Sequence, residues 1–406
     1  MRIESFFQRL LDYSIYAMVI FFAISKAILL IAFTTALVSW LFLKIKRRDG
    51  PNVSWDFLFV SLSVFVFFSV LSAFVSHYPM QSIHGVGKLL REILLCVMIA
   101  DTFQSKDKIR RLISIGTVAS LVVFLDAIYQ FGMGKDLLRG QAFYYVDVLP
   151  RLLGPFKDHT IFASYLIAWV SIYLALICCL AELKPKEKTL LALLAILSAF
   201  CLFHTQARGA WLSFALAFLF FAVIQKQKIL LAALGIAIVV GLVILPKNMI
   251  VHPDAERKEQ SLIERSVLWD RAINVIKARP WLGTGINTYV RSYQQFDTTK
   301  SWRVQNYYAH NSYLQLAADR GLIALSSLLA FIGTFFWRSF SIVRGRFDLD
   351  MKALLKGLMT ALVGLLALGL VDTVFEPLQT GMLIWLLFGM GLAAIHIATD
   401  RKEAEA

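Results

Sequence analysis

Charged residues are few in this chain. They make up 17% of its 406 residues, against about a quarter in soluble globular proteins, which excludes an ordinary water-soluble domain. Cysteine is scarce as well. Cys96, Cys178, Cys179 and Cys201 all fall in apolar stretches, so no disulfide framework is expected. The seven histidines are scattered, with no HExxH and no Cys/His cluster at metal-ligand spacing, so no metal site is expected. There is no P-loop, no GxGxxG, no low-complexity segment and no convincing internal repeat, although inverted transporter-type symmetry is too weak to see at this level. Nothing here implies a bound cofactor. A cleavable signal peptide is not expected either, because the first apolar run leads straight into the next.

Long apolar runs stand in place of charge: 58% of residues are hydrophobic and the mean hydropathy is +0.68. Several runs approach or exceed the ~18 residues needed to cross a bilayer. Lipid offers backbone groups no water to bond, so these runs must be helices, and they are too long and continuous for barrel strands. The expected spans are Leu11–Ile24, Ala27–Leu43, Trp55–Val75, Val86–Phe103, Leu112–Phe131, Thr160–Leu180, Leu190–Phe203, Trp211–Ile224, Ile229–Leu245, Leu322–Trp337, Ala353–Val371 and Leu378–Ile397. The first two are divided at Ser25-Lys26, because a lysine near the bilayer centre is costly. The fold class is therefore all-α: a polytopic membrane protein of about twelve transmembrane helices.

Basic residues orient the bundle. With the N-terminus in the cytoplasm, the inner loops carry Lys44, Lys46, Arg47 and Arg48, then Lys106 to Arg111, Lys184 to Lys188, Lys226 and Lys228, and Arg338 to Lys352. The short outer loops at His77–His84 and Asp372–Pro377 have neither lysine nor arginine. Much of the net charge of +14 is this topology signal, and it gives no reason to expect a nucleic-acid partner.

Two outer segments break the pattern: Gly132–His159 and the much longer Pro246–Asp319, which is rich in arginine and lysine. Within the second, Ser261-Leu-Ile-Glu264 reads as a capping box opening a helix. Leu268, Trp269, Ala272, Ile273 and Ile276 then form one apolar stripe, giving an amphipathic helix on the membrane or on the bundle, ended by Pro280 and the Gly283-Thr-Gly285 turn. This reading puts Arg265 in a first turn, beside N–H groups that favour an anion; it equally allows a structural pair with Glu264 or Asp270. His204-Thr-Gln206-Ala-Arg208-Gly209-Ala-Trp211 joins two spans with almost no loop. It holds Arg208 at the interface, either toward the bundle interior or snorkelling to headgroups. His310, in Tyr307-Tyr-Ala-His310-Asn311-Ser-Tyr313-Leu314, is either a proton acceptor at a membrane mouth or a hydrogen-bonded interface histidine. Arg151 and His159 flank a turn that serves as well for interfacial anchoring as for binding. Lys88 and Arg91 face the same side or pair with Glu92.

In order and position these pieces resemble the O-antigen ligase superfamily, which includes O-antigen polymerases and protein O-oligosaccharyltransferases. The resemblance rests on Gln206-Ala-Arg208-Gly209-Ala-Trp211, Glu264-Arg265 with Trp269 and Ala272, Pro280-Trp-Leu-Gly283-Thr-Gly285, and His310-Asn311-Ser-Tyr313-Leu314 with Gly321. It implies a metal-independent, cofactor-free inverting glycosyltransferase in the bacterial inner membrane, with its active site on the periplasmic side. The donor would be a glycan on undecaprenyl diphosphate and the acceptor a sugar hydroxyl of lipid A–core. His310 would be the general base, and Arg208, Arg265 and Arg151 would hold the diphosphate. Gln206, Asn311, Tyr313, Lys88, Arg91 and His159 would support them. The absence of an added C-terminal soluble domain favours ligase over the protein-glycosylating relatives, and polymerase is the alternative. Asp319-Arg320 departs from the expected pattern in having an extra arginine. A lipid-linked sugar transporter would instead place charge deep along several helices. The chain divides into a membrane bundle at 1–245, a periplasmic loop with amphipathic helices at 246–319, and the last three spans with a cytoplasmic tail at 320–406.

Overall fold

The computed structural model describes residues 2–51, 56–146, 149–180, 183–229, 231, 255–298 and 308–405, with backbone only at 144–146, 149, 255–264 and 401–405. The long helices are α1 Arg2–Phe21, α2 Lys26–Arg47, α3 Phe57–Phe74, α4 Pro79–Thr102, α5 Lys106–Met133, α6 His159–Cys179, α7 Pro185–His204 and α8 Arg208–Gln225. They continue with α9 Ala255–Ala278, the single turn α10 Tyr289–Ser292 leading into a 3₁₀ turn at Tyr293–Phe296, α11 Ser312–Arg344, α12 Leu349–Leu368 and α13 Leu378–Glu405. Nine of the described helices are long and apolar enough to cross a membrane. Arg2–Phe21 and Pro79–Thr102 have the length but carry more charge. This is an all-α, multi-pass membrane protein. Most of the expected ninth span, Ile229–Leu245, lies outside the described residues.

Side-chain caps explain several helix starts. Ser25, Asp56, Ser105, Asp158, Asn311 and Asp348 each accept hydrogen bonds from backbone N–H groups in the first turn they precede. The break between α1 and α2 falls where Ser25-Lys26 suggests it. In the centre, α12 packs between α6 and α8. An added Cβ at Gly364 would come within 2.6 Å of Ile167, the close approach that small residues permit between membrane helices. In their most apolar stretches α12 and α13 are 72% and 83% buried, against 28% in α8 and α11, so α12 and α13 form the middle of the bundle.

The two ends of the bundle differ in chemistry. At one, the lysines and arginines of the expected inner loops pair with acids: Lys44 with Asp101 at 2.9 Å, Lys108 with Asp12 at 3.2 Å, and Lys106, Arg110 and Arg338 with Asp348, Asp350 and Asp56. At the other end lie the segments around 132–158, 204–208, 279–298, 308–311 and 369–377. There the α5–α6 connection contains a small hairpin, β1 Tyr144–Val146 with β2 Leu149–Arg151, in antiparallel register. This hairpin is a local departure from the all-helical expectation.

Three expectations for the long outer segment change. Helical backbone is already present at Ala255, so Ser261-Leu-Ile-Glu264 does not open the helix. The preceding Ala-Glu-Arg-Lys-Glu-Gln run is made of strong helix formers. Arg265 is consequently in the middle of α9, and the anion-favouring helix terminus expected beside it is lost. The buried stripe is Leu268, Arg271, Ala272 and Val275, with Ile273 left 36% exposed. Arg271 faces inward because its guanidinium pairs with Asp297 at 2.7 Å and lies 4.9 Å from the centre of the Tyr293 ring. Finally, α11 begins at Ser312, so the boundary expected at 319/320 falls inside it, just before a break at Gly321.

The outer segment is fastened at that break. Thr284 and Gly285 donate backbone hydrogen bonds to the carbonyls of Ala318 and Asp319, at 3.0 and 2.9 Å, and Leu322 donates to Pro280 at 2.7 Å. Gly283 and Gly321 both have positive φ. An added Cβ at Gly283 would lie 2.5 Å from the Ala318 carbonyl oxygen, and one at Gly321 would collide with the Trp281 carbonyl. The Asp319 carboxylate accepts from the N–H groups of Thr288 and Tyr289, capping the turn at α10.

Candidate active site

His310 lies at a bend just before α11 with φ +46, a region unusual for a side-chain-bearing residue but more often tolerated by histidine, asparagine and aspartate. Its neighbours in the motif hold it there. Asn311 caps α11 through its Oδ1 and donates to the Leu370 carbonyl at 3.0 Å, and the Tyr313 hydroxyl donates to the Leu366 carbonyl at 2.8 Å. Ser312 donates to the Asp372 carbonyl and accepts from the Val374 N–H. Asn311 and Tyr313 are thus occupied in fixing the entry to α11 against the α12–α13 loop.

That loop supplies a partner that sequence reasoning did not single out. Asp372 Oδ1 lies 3.2 Å from His310 Nδ1 and accepts from the Thr373 N–H at 2.7 Å, while Oδ2 accepts from the Thr160 hydroxyl at 3.1 Å. Burial would raise the Asp372 pKa. The hydrogen bond from His310, the Thr373 N–H, the charge of the imidazole and the Thr160 hydroxyl outweigh it and hold the carboxyl below its ordinary range. An ionised carboxylate only accepts, so Nδ1 carries the hydrogen. In the neutral ring Nε2 then keeps its lone pair, and the side chain is partly exposed. This is the arrangement a general base requires.

Cations gather around the dyad. Arg151 lies within 2.8 Å of His159 Nε2, and since arginine can only donate, His159 accepts. His159 is the first residue of α6, next to Thr160. The Leu152 N–H donates to the His204 carbonyl at 2.9 Å, which joins the Arg151 strand to the α7–α8 turn. Gln206 in that turn has φ +56. Arg208 opens α8. It is exposed rather than turned to the interior, because Gly209 is the residue packed against Val371, one position before Asp372. Arg151, His159 and the His310–Asp372 pair are therefore linked through β2, α6, the entry to α11 and the α12–α13 loop, and Gly209 seats the start of α8, which carries Arg208, against Val371 of the same loop. Arg265 stands apart, exposed on α9, with neither Asp270 nor any other ion partner among the described residues.

Lys88 and Arg91 do not pair directly with Glu92. Lys88 donates to Asn287 Oδ1 at 3.3 Å and lines a polar cavity with Glu92, Arg320 and Glu376. The arginine that departs from the expected pattern thus has a place in the fold. Among the described residues no group of three or more His, Cys, Asp or Glu is arranged to hold a metal ion.

The fold and the site define a class: multi-pass helical membrane proteins with an acid-paired histidine and several arginines at one end of the bundle. A family model described as O-antigen ligase matches residues 193–329, about a third of the chain, from within α7 through α8 and α9 to His310 and α11. The match supports the O-antigen ligase and polymerase superfamily and brings with it a lipid-linked glycan and a bilayer setting. No curated protein matches the chain.

Proposed function

We propose that the chain is an O-antigen ligase of the inner membrane. It transfers a glycan from undecaprenyl diphosphate to a sugar hydroxyl of lipid A–core, with inversion and without a metal, on the periplasmic side. The observation that carries this reading is the His310–Asp372 pair at 3.2 Å, with Arg151 bonded to His159 next to it and Arg208 opening the neighbouring helix α8. A sugar hydroxyl is a poor nucleophile until its proton has somewhere to go. His310 Nε2 takes that proton as the hydroxyl oxygen attacks the anomeric carbon and the bond to the diphosphate oxygen breaks. Charge then grows on the diphosphate, and guanidinium forks meet it. Arg151 and Arg208 have structural support for this role. Arg265 has it from the family resemblance alone, while Gln206 lies in the turn before Arg208 and His159 is bonded to Arg151. Asp372 orients the base and stabilises the imidazolium.

The test is transfer by the purified full-length chain from undecaprenyl-diphosphate glycan to lipid A–core, followed by release of undecaprenyl diphosphate. Transfer to lipid A–core supports a ligase. Growth of the lipid-linked glycan without that acceptor would assign the chain to the polymerases instead. Movement of intact donor between leaflets, with no bond broken, would make it a transporter.

A further inference from the structure

Beside the dyad lies a second polar site. Lys88 and Glu92 of α4, Arg320 of α11, Asn287 before α10 and Phe375-Glu376 after Asp372 line a small, water-sized cavity at the same end of the bundle. Glu92 and Glu376 are 6% and 9% exposed. Both Glu376 oxygens and Arg320 Nε are buried without a hydrogen-bond partner, and no ion pair joins Arg320 to either glutamate among the described residues. Acidic and basic side chains thus face one another across a space instead of closing on it, and burial pushes the Glu376 carboxyl above its ordinary range. Buried polar groups left in that state are costly, and something that both donates and accepts hydrogen bonds must complete the site.

The chemistry of the lining narrows the occupant. An anion would meet two carboxylates, and a bare cation would meet Lys88 and Arg320. An apolar group would leave every one of these groups unsatisfied. A neutral hydroxyl satisfies both sides, donating to a carboxylate while accepting from an ammonium or guanidinium. The room available suits one hydroxyl or hydroxymethyl arm, standing where a water would otherwise bridge. The position suits it too. Glu376 is four residues beyond Asp372, and the Phe375 ring meets Tyr313 edge-on with centroids 6.0 Å apart.

We propose that this cavity is a hydroxyl-recognition subsite for the acceptor glycan: a sugar hydroxyl arm enters between Glu376 and Arg320 and fixes the ring whose neighbouring hydroxyl faces His310. The assignment to the acceptor rests on the transferase reading above; the recognition of a neutral polyol does not.

The test is equilibrium binding of delipidated core oligosaccharide to the full-length protein in nanodiscs, without donor. Wild type should bind, and Glu376→Gln, a near-isostere, should weaken binding about tenfold, as loss of one hydrogen bond to the sugar implies. Binding of inorganic pyrophosphate should be unchanged in that variant. Lys88→Gln, nearer the surface, provides a second variant in case the buried change impairs folding, and it should weaken the oligosaccharide in the same direction. Unaltered oligosaccharide binding in both variants, or no binding to wild type, overturns the proposal. If the binding pattern holds while no transfer is detected, the subsite stands and the transferase reading fails.

Discussion

Replacement of Asp372 separates two things the carboxylate does: it orients the imidazole and it supplies charge. In Asp372→Asn the amide has one oxygen for the three hydrogen bonds the carboxylate accepts. The Thr373 N–H, 2.7 Å from Oδ1, can only donate, so it selects the flip that keeps oxygen on the His310 side. The amide nitrogen then falls at Oδ2, where the Thr160 hydroxyl, 3.1 Å away, can turn and accept. Asparagine therefore preserves the tautomer and loses only the charge that stabilises the imidazolium. Transfer should fall about 10²-fold, or roughly 2.7 kcal/mol in the barrier at 1.36 kcal/mol per decade. Asp372→Ala loses orientation as well and should fall about 10³–10⁴-fold, toward the full value of general-base catalysis. The assay is single-turnover transfer by purified variants, with donor binding and thermal stability measured on the same samples. Equal losses in the two variants would refute the tautomer argument, and wild-type rates in both would remove Asp372 from the mechanism. The pH dependence follows from the depressed Asp372 pKa: what its charge contributes is complete above the ordinary carboxylate range and is lost as pH falls through the lowered folded value.

Arg208→Ala should reduce transfer at least about 10²-fold, with lysine restoring only part, because it keeps the charge and loses the fork. Arg265→Ala tested beside it shows whether α9 contributes to the site, since full activity of that variant would confine the diphosphate to Arg151 and Arg208. Transfer should survive EDTA; loss on chelation, restored by Mg²⁺ or Mn²⁺, would refute metal independence. Gly321→Ala should destabilise the protein by at least about 2 kcal/mol, through the strained φ and the collision with the Trp281 carbonyl, read as a lowered melting temperature in detergent. An unchanged melting temperature would show that the outer segment is not fastened there.

The membrane class and most helices were legible in the sequence because both follow from local signals, namely apolar length and basic loops. The split at Ser25-Lys26 succeeded for the same reason, since one cap and one lysine decide it. The start of α9 misled because the capping pattern at Ser261–Glu264 is short and common, while the helix-forming run before it carries no apolar stripe to draw notice. The interfacial place of Arg208 at the start of α8 was legible, but its direction was not, because Gly209 decides which side of α8 faces Val371. Asp372 was passed over because its partner is 62 positions away, and no local pattern marks an acid in a short outer loop as the companion of a particular histidine. Glu376 escaped notice similarly, since its significance comes from carboxyl oxygens buried without a side-chain partner among the described residues, which only packing can reveal.

The break at Gly321 explains why one helix can serve both the site and the outer segment. Before the break, Asn311 and Ser312 fix His310 against the α12–α13 loop, and the Asp319 carboxylate caps α10. After it, α11 runs along α3 as an ordinary span. A continuous helix through Gly321 would use the Leu322 N–H within the helix, yet that group donates to the Pro280 carbonyl and fastens the outer segment. The same turn brings Arg320, next to the break, to the cavity shared with Glu376. The glycine therefore positions the dyad, the outer segment and the second polar site relative to one another. A change there should disturb all three, whereas a change at Asp372 should disturb the dyad alone.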